Sequence, residues 1–277
     1  MLPTDGDKQI LDSLETSDQT LANIPGIKEQ KPVLAIIGTD FSCGKTVLMT
    51  GLAAMLRSGG FSVRAIKPLV VGRSEERDAE QAFISSITHT LPALPPVVLD
   101  LSEGISNNAW QKVVGAASSS ADLTLVELPG SAATPLSFHR NQKDNQACAW
   151  KDSADLAAEI ASHTLLVAKH DLSSLETLTV HSLYLTNKGM KPLGLATVET
   201  ASSGGKDLEG MLGRDAFELA LLSRTGVPYL GCIKHSPSVS VQRVNQGNLI
   251  KLTQAGLELL EMMKALDLPL PARSDGH

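Results

Sequence analysis

Short continuous apolar runs recur along the chain and alternate with longer segments in which apolar residues follow helical spacing. The first run, Val33 to Ile37, is followed by an amphipathic segment from Val47 to Arg57. A run without polar interruptions is typical of a strand buried on both faces, as in a parallel sheet covered by helices. The alternation therefore predicts an α/β fold with a doubly wound, mostly parallel sheet flanked by helices.

The same pattern predicts the remaining elements. Strands are predicted at 62–67, 123–128, 164–168, 192–198 and 228–233, and 97–101 fits a short strand or an extended connector. Helices are predicted at 107–117, 153–161, 175–188, 214–224 and 252–266, and a charged segment after Gly72 leads into a helix that ends near Thr90. Residues 202–205 are expected to form a turn. Residues 131–150 lack periodicity, so we expect a long surface loop there that serves as a lid or an interface.

Length and polarity suggest one main domain. A chain of 277 residues with 42% hydrophobic residues can bury one large core. We expect a polar N-terminal extension over residues 1–30, a single α/β domain over 31–268 and a polar C-terminal tail over 269–277.

The charge argues against nucleic-acid and membrane partners. The net charge is -6 and only 3% of the residues are aromatic, whereas nucleic-acid and anionic-lipid surfaces require clustered cations and base stacking requires aromatic rings. No signal peptide and no apolar run of membrane-spanning length is evident. Cys43, Cys148 and Cys232 are odd in number and lack paired spacing, which fits a reducing compartment. We expect a cytoplasmic protein.

The segment from Gly38 to Thr46 has the composition of a phosphate-binding loop. A predicted strand precedes it, and the triplet Gly44, Lys45 and Thr46 opens a predicted helix. Such a loop directs backbone N–H groups at a polyphosphate, its lysine reaches the terminal phosphates and its hydroxyl ligates Mg²⁺. Five residues rather than four separate Gly38 from Gly44, so the loop is a variant. The alternative is a glycine-rich turn that contains Lys-Thr by chance, and the strand and helix around it argue against that alternative.

The motifs from residue 32 to 236 resemble those of dethiobiotin synthetases in order and spacing. The segment Gly38-Thr-Asp-Phe-Ser-Cys-Gly-Lys-Thr46 resembles that family's Gly-Thr-Asp-Thr-x-Val-Gly-Lys-Thr, including the extra residue. Asp40 stands where the dimeric MinD-like ATPases carry a signature lysine, so the loop is closer to the dethiobiotin synthetase branch. Further matches are Lys67-Pro68 followed by Gly72, Val126-Glu127, and Thr134-Pro135-Leu136.

The resemblance implies a MgATP-dependent ligase that captures CO₂ on a diamine such as 7,8-diaminopelargonate, phosphorylates the carbamate and closes a ureido ring. It also implies a homodimer. Its implied metal ligands are Thr46, Asp78 and Glu127, its catalytic lysines are Lys45 and Lys67, and its substrate contacts are Lys67, Val71 and Gly130. The implied nucleotide contacts are Ser42, Cys43, Gly44, Lys45, Thr46, Val47, Glu199 and Thr200. Asp78 also fits a solvated helix position, and Lys67 also fits a strand-end lysine that extends to solvent.

The sequence departs from the family where the substrate and the base are recognised. Val71 replaces a serine, and Leu128-Pro129 replaces part of a glycine run. Asp171 lies in the segment where the family holds the substrate carboxylate, and Glu199-Thr200 replaces an Asn-Asp pair that reads adenine. A carboxylate can accept from an exocyclic amine but cannot donate to a ring nitrogen. The alternative function is therefore a P-loop ATPase or nucleotide-binding regulator of the same fold with another substrate or partner.

Overall fold

A computed structural model describes residues 31–72, 74–89, 95–140, 148–200, 212–240 and 243–269. Its centre is a six-stranded sheet in which every recorded pairing is parallel, in the order β10-β9-β8-β1-β5-β2. These strands are β1 (Val33–Gly38), β2 (Val63–Ile66), β5 (Leu123–Ser131), β8 (His163–Lys169), β9 (Gly194–Val198) and β10 (Tyr229–Ile233). The predicted doubly wound parallel sheet is confirmed.

Three small two-stranded sheets accompany the central one within the described residues. They are formed by β3 (Leu69–Val70) with β4 (Val97–Val98), β6 (Pro135–Arg140) with β7 (Cys148–Asp152), and β11 (Val239–Ser240) with β12 (Arg243–Val244). Of the two alternatives for 97–101, a short strand or an extended connector, the strand is confirmed for Val97 and Val98. These two residues pair with β3 outside the central sheet.

Helices cover both faces of the central sheet. The described residues contain α1 (Lys45–Ser58), α2 (Ser74–Thr88), α3 (Asn107–Ala117), α4 (Ser153–Ile160), α5 (Ser174–Asn187), α6 (Arg214–Thr225), α7 (Gln246–Gly256) and α8 (Leu259–Ala265). One buried cluster joins the sheet to α3, α4, α5 and α6, with Trp110 as its largest side chain. A second cluster joins the opposite face to α1 and α8 and includes Ile84 of α2.

The prediction of a long surface loop over 131–150 was wrong for the two strands that the structure describes, whereas residues 141–147 lie outside the described ranges. Residues 135–140 and 148–152 pair as antiparallel strands, and Phe138 packs edge-to-face on Trp150 with ring centroids 5.4 Å apart. Leu136, Ser137, Phe138 and His139 do alternate between apolar and polar residues, but this signal covers only four residues.

The single helix predicted over 252–266 was also wrong, because two helices occupy this segment. The chain leaves α7 at Leu257, which forms an antiparallel bridge with Gly231. The next residue, Glu258, donates its N–H to the carbonyl of Leu230 at 2.7 Å. Contact with β10 therefore interrupts the helix at a place that local spacing does not reveal.

Several predictions concern residues outside the described ranges. They include the extension over 1–30, the turn over 202–205 and most of the tail over 269–277, so the division of the chain into those segments stays a prediction. No helix in the described ranges has the length and apolar character needed to cross a membrane. Cys43 and Cys232 are buried free thiols.

Candidate functional site

The loop between β1 and α1 is shaped by two glycines. Gly44 has a φ of 93°, and a Cβ there would lie 2.6 Å from the side chain of Val198. A Cβ on Gly38 would lie 2.7 Å from both Lys45 Nζ and Cys43 Sγ. Contacts below 3.0 Å are steric overlaps. Gly38 therefore allows the loop to close over Lys45, and Gly44 allows the loop to pack against Val198.

Lys45 is buried by this loop and donates to its carbonyl groups. Only 3% of Lys45 is exposed. Its Nζ donates to the carbonyl oxygens of Asp40 at 2.5 Å, Phe41 at 3.2 Å and Gly130 at 3.1 Å. The described residues offer Lys45 no carboxylate within ion-pair distance. A buried lysine that contacts neutral groups and no carboxylate is placed to attract an anionic ligand such as a polyphosphate.

The Leu128-Pro129-Gly130 segment forms an irregularity in β5. Ile36 pairs with Glu127, and the next recorded pair is Gly38 with Ser131, so β5 has the longer chain between the two pairs. Bulges of this kind accommodate proline, which has no N–H for a ladder hydrogen bond. Here the bulge presents the Gly130 carbonyl to Lys45. The departure from the family's glycine run therefore leaves Gly130 at the phosphate loop.

A second cluster links the start of α1 to the end of β2 and the middle of β5. Glu127 is 1% exposed, and its Oε1 accepts from Thr46 Oγ1 at 3.1 Å. The same oxygen lies 2.8 Å from Lys67 Nζ, which also contacts Glu80 Oε2 at 2.6 Å. β2 and β5 are parallel neighbours in which Ile66 pairs with Val126, so Lys67, just after β2, and Glu127, the middle residue of β5, lie level with one another.

The two carboxylates keep Lys67 charged. Burial of Lys67 opposes its charge, but the attraction of Glu127 and Glu80 outweighs burial and raises the pKa of Lys67 to about 12. Lys67 is therefore a cation at any physiological pH.

The other predicted nucleotide contacts surround the loop. Ser42 is exposed and Val47 is half-buried. Cys43 is buried and donates through Sγ to the carbonyls of Asp40 and Val167, both at 3.3 Å. Glu199 follows β9 and accepts from the backbone N–H of His235 at 2.9 Å, and the half-buried Thr200 follows it.

Val71 and Asp171, which replace family residues at the substrate site, lie in different environments. Val71, next to β3, packs against the core cluster that contains Trp110. Asp171 lies just before α5, and its Oδ1 accepts from Ser173 N at 3.0 Å and Ser173 Oγ at 2.6 Å. The start of α5 therefore already carries a carboxylate of the protein.

The family model AAA_26, described as an AAA domain, matches residues 33–243. The chain belongs to this family. Within the AAA_26 family the chain is similar to the ATP-dependent dethiobiotin synthetase BioD of Haloferax mediterranei, with 30% identity over 153 residues. That match covers 51% of this chain and 60% of the relative, so the chain matches about three fifths of the relative's length. The chain is a dethiobiotin synthetase-like P-loop protein.

Solved structures with related folds include the MinC:MinD cell division complex of Aquifex aeolicus. That likeness has a TM-score of 0.48 and 14% identity and covers 88% of this chain and 100% of that chain. The signal recognition particle receptor FtsY of Elizabethkingia anophelis in complex with GDP has a TM-score of 0.46 and 15% identity, covering 83% and 66% respectively. Likenesses this distant carry no functional conclusion.

The AAA_26 chain offers hard oxygen donors suited to Mg²⁺ beside the phosphate loop. Glu127 Oε2 is buried and has no hydrogen-bond partner among the described residues, and Thr46 Oγ1 adjoins the other carboxylate oxygen. No group of three or more His, Cys, Asp and Glu side chains in the described ranges could hold a metal. Mg²⁺ commonly takes one or two protein carboxylates and completes its shell with water and substrate phosphates. Thr46 and Glu127 therefore fit this ion.

The structure brings Thr46, Glu127 and Lys67 together and leaves Asp78 apart. Asp78 is exposed on α2 and makes no recorded contact with a described residue. Residues two positions apart on a helix differ by about 200° around its axis, so Glu80 faces Lys67 while Asp78 faces away. The role of Asp78 as a metal ligand stays a prediction. Glu80 was missed, although its spacing from the buried Phe83, Ile84 and Ile87 places it at the inner face of α2.

Proposed function

We propose that the protein is a MgATP-dependent ligase of the dethiobiotin synthetase type. Its substrate would be a diamine such as 7,8-diaminopelargonate, and its products a cyclic urea, ADP and phosphate. The family match and the similarity to a dethiobiotin synthetase support this proposal.

One observation carries the proposal: Lys67 and Thr46 both contact the buried Glu127 Oε1. Lys67, which we propose binds the substrate, and Thr46, which we propose binds the metal, thus contact the same carboxylate. A phosphoryl transfer needs alignment and charge neutralisation more than a proton-transfer residue. The cluster of Lys67, Thr46 and Glu127, together with Lys45 in the phosphate loop, supplies those requirements.

The proposed reaction has three steps. One amine of the substrate attacks CO₂, forms an N–C bond and loses a proton, which yields a carbamate. A carbamate oxygen then attacks the γ-phosphorus of ATP, and the bond from that phosphorus to the β–γ bridging oxygen breaks, releasing ADP. The second amine attacks the carbamate carbon, closes the ring and expels phosphate together with a proton.

The residues of the chain hold the reactants during these steps. Lys45 binds the β- and γ-phosphates, and Lys67 binds the carbamate, whose negative charge its ammonium offsets. Thr46 and Glu127 would hold Mg²⁺, which would neutralise charge on the transferring phosphate. Gly130 allows Thr134 and Phe41 to approach the chain here, because an added Cβ would overlap Thr134 Oγ1 and lie 3.0 Å from Phe41 Cζ.

Phosphate release and product mass test the proposal together. We expect release to require ATP, bicarbonate and 7,8-diaminopelargonate, with a cyclic urea detected by mass spectrometry. An analogue with one amine should give no cyclic urea. Lys67→Met should abolish turnover, whereas the matched substitution Lys31→Met should retain it, because Lys31 pairs at the surface with Asp122. Phosphate release that is indifferent to the diamine would overturn the proposal.

One observation favours a second candidate, a nucleotide-dependent regulatory ATPase. The carboxylate of Asp171 stands at the start of α5, where it would repel a substrate carboxylate. This candidate predicts that nucleotide promotes a homodimer or binding of another protein without forming a cyclic urea. Sedimentation with and without ATP measures the oligomeric state, and an unchanged state together with unchanged protein interactions would count against it.

A further inference from the structure

A cavity of about 380 Å³ lies at the edge of the central sheet, and none of its described lining residues belongs to the phosphate loop. Its wall includes the edge strand β2, and it is bounded by α2 from one helix layer and by α3 from the other. Cavities of 300–1,000 Å³ are typical of small-molecule sites. Since a water molecule occupies about 30 Å³ in the liquid, the space suits a ligand of about a dozen non-hydrogen atoms.

The walls of the cavity are largely apolar. Ile66 of β2, Ile84 of α2, Val97 of β4 and Val113 of α3 contribute aliphatic side chains. The described lining includes no Phe, Tyr or Trp ring on which a nucleotide base could stack. These walls favour an aliphatic ligand body over a nucleobase.

The charged lining is entirely positive. Arg64, Lys67 and Lys112 line the cavity, and no described lining residue is acidic. This is a local excess of cations on a chain whose net charge is -6. Apart from Lys67, which Glu80 and Glu127 pair, these cations have no acidic neighbour in the described lining and therefore attract an anion.

Two of these cations, Arg64 and Lys112, have donors that no described residue uses. Arg64 Nη1 donates to the carbonyls of Ala116 at 2.7 Å and Ser118 at 3.0 Å, at the end of α3. No bond from its Nε or Nη2 to a described residue is recorded. Lys112 is exposed and likewise makes no recorded ion pair within the described ranges. Lys67 differs, because Glu80 and Glu127 already hold it.

We propose that this edge cavity binds a small amphipathic carboxylate, with its head near Arg64 and Lys112 and its aliphatic body against Ile66, Ile84 and Val113. The cavity shares Lys67 with the cluster at Glu127, but the proposed contacts are Arg64, Lys112 and the aliphatic walls, so the proposal does not depend on the ligase function. The carboxylate matches the unused arginine and lysine donors, and the aliphatic body matches the remaining walls.

Octanoate is a suitable probe. Acetate, which lacks the long aliphatic chain, is the control for the apolar body, and octylammonium, which is positively charged, is the control for the charge. Calorimetry on the full chain should show octanoate binding, with both controls at least about tenfold weaker, a difference of about 1.4 kcal/mol. Lys112→Glu should weaken octanoate binding about tenfold. Lys251→Glu, the same charge change at an exposed position of α7, should leave it unchanged.

A filling variant and a loop variant complete the test. Ala116→Phe should block octanoate while preserving the circular dichroism spectrum, because residue 116 lies on the cavity wall. Lys45→Ala should lose ATP and retain octanoate, which separates this site from the nucleotide site. Absence of octanoate binding to the wild type, equal binding of octylammonium, or equal losses in Lys112→Glu and Lys251→Glu would each overturn the proposal.

Discussion

Lys67 Nζ lies 2.8 Å from Glu127 Oε1, and this ion pair is almost entirely removed from solvent. The side chains of Lys67 and Glu127 are 10% and 2% exposed. The second oxygen of Glu127 has no partner among the described residues. The ammonium of Lys67 therefore occupies one side of a carboxylate whose other side is available to a second cation.

Lys67→Met should destabilise the protein and increase its response to Mg²⁺. Loss of the ammonium leaves Glu127 buried without its ionic partner, a change that typically costs about 3–5 kcal/mol. Mg²⁺ can then neutralise Glu127, so it should raise the melting temperature of Lys67→Met more than that of the wild type. Thermal unfolding with and without Mg²⁺ measures both effects.

The double variant Lys67→Met/Glu127→Gln is the control for that response. It lacks both the ammonium and the carboxylate, so the extra stabilisation by Mg²⁺ should disappear. If Mg²⁺ shifts the melting temperature equally in the wild type and in both variants, Glu127 does not hold the ion.

Glu80→Gln and Asp78→Asn distinguish two neighbouring acids of α2. Glu80 contacts Lys67 and is 31% exposed in its side chain, so we expect Glu80→Gln to lower the free energy of unfolding by up to about 1 kcal/mol. Asp78 is exposed, so Asp78→Asn should change it by less than about 0.5 kcal/mol. Urea unfolding measures both values. A tenfold loss of Mg²⁺-dependent ATP affinity in Asp78→Asn, or about 1.4 kcal/mol, would instead support the ligand role inferred from the resemblance.

Gly38→Ala should disrupt the phosphate loop. A Cβ at this position would overlap Lys45 Nζ and Cys43 Sγ, both at 2.7 Å. We expect ATP affinity to fall at least about tenfold, which corresponds to about 1.4 kcal/mol. Gly115→Ala in α3 is the matched control, because no atom lies within 4 Å of its added Cβ. That change should keep ATP affinity and stabilise the helix by roughly 0.5–1 kcal/mol. Equal ATP affinities in the two variants would contradict the assigned loop geometry.

The central sheet and the phosphate loop could be predicted because local sequence determines them. Apolar runs mark β1 and β5, and Gly44-Lys45-Thr46 lies at the turn from strand to helix. Glu127 could be singled out because an acid in an apolar strand requires a partner.

Features that depend on distant contacts could not be predicted. The break between α7 and α8 depends on the bridge from Leu257 to Gly231, which the helical spacing of 252–266 does not encode. The ion pair between Glu80 and Lys67 depends on the rotational position of Glu80 on α2 and on the packing of α2 against β2. Asp78 lies at the sequence position where the family has a metal-binding aspartate, but its place on α2 directs it to solvent.

Glu199 should favour a nucleotide base that carries an exocyclic amine. One carboxylate oxygen accepts from the N–H of His235, and a carboxylate has no proton to donate to a base. We therefore expect ATP to bind about tenfold more tightly than inosine triphosphate, a difference of about 1.4 kcal/mol. Glu199→Gln should reduce the ratio of ATP affinity to inosine triphosphate affinity, because an amide can donate a hydrogen bond to the base. The exposed control Glu176→Gln should leave this ratio unchanged. Calorimetry measures the ratio, and an unchanged ratio in Glu199→Gln would place the base elsewhere.

His181 of α5 should make the protein sensitive to mild acid. Partial burial lowers the pKa of His181 below its usual 6.5, because the charged ring loses solvent. His181 therefore binds a proton more readily in the unfolded chain than in the folded chain. The free energy of unfolding is accordingly highest above pH 6.5, and it declines as the pH falls from 6.5 toward the lowered pKa of the folded state. His181→Gln should therefore reduce the loss of stability below pH 6.5, measured by urea unfolding at several pH values. His235→Gln changes an exposed histidine and should preserve the wild-type slope, and equal slopes in both variants would show that His181 is not responsible.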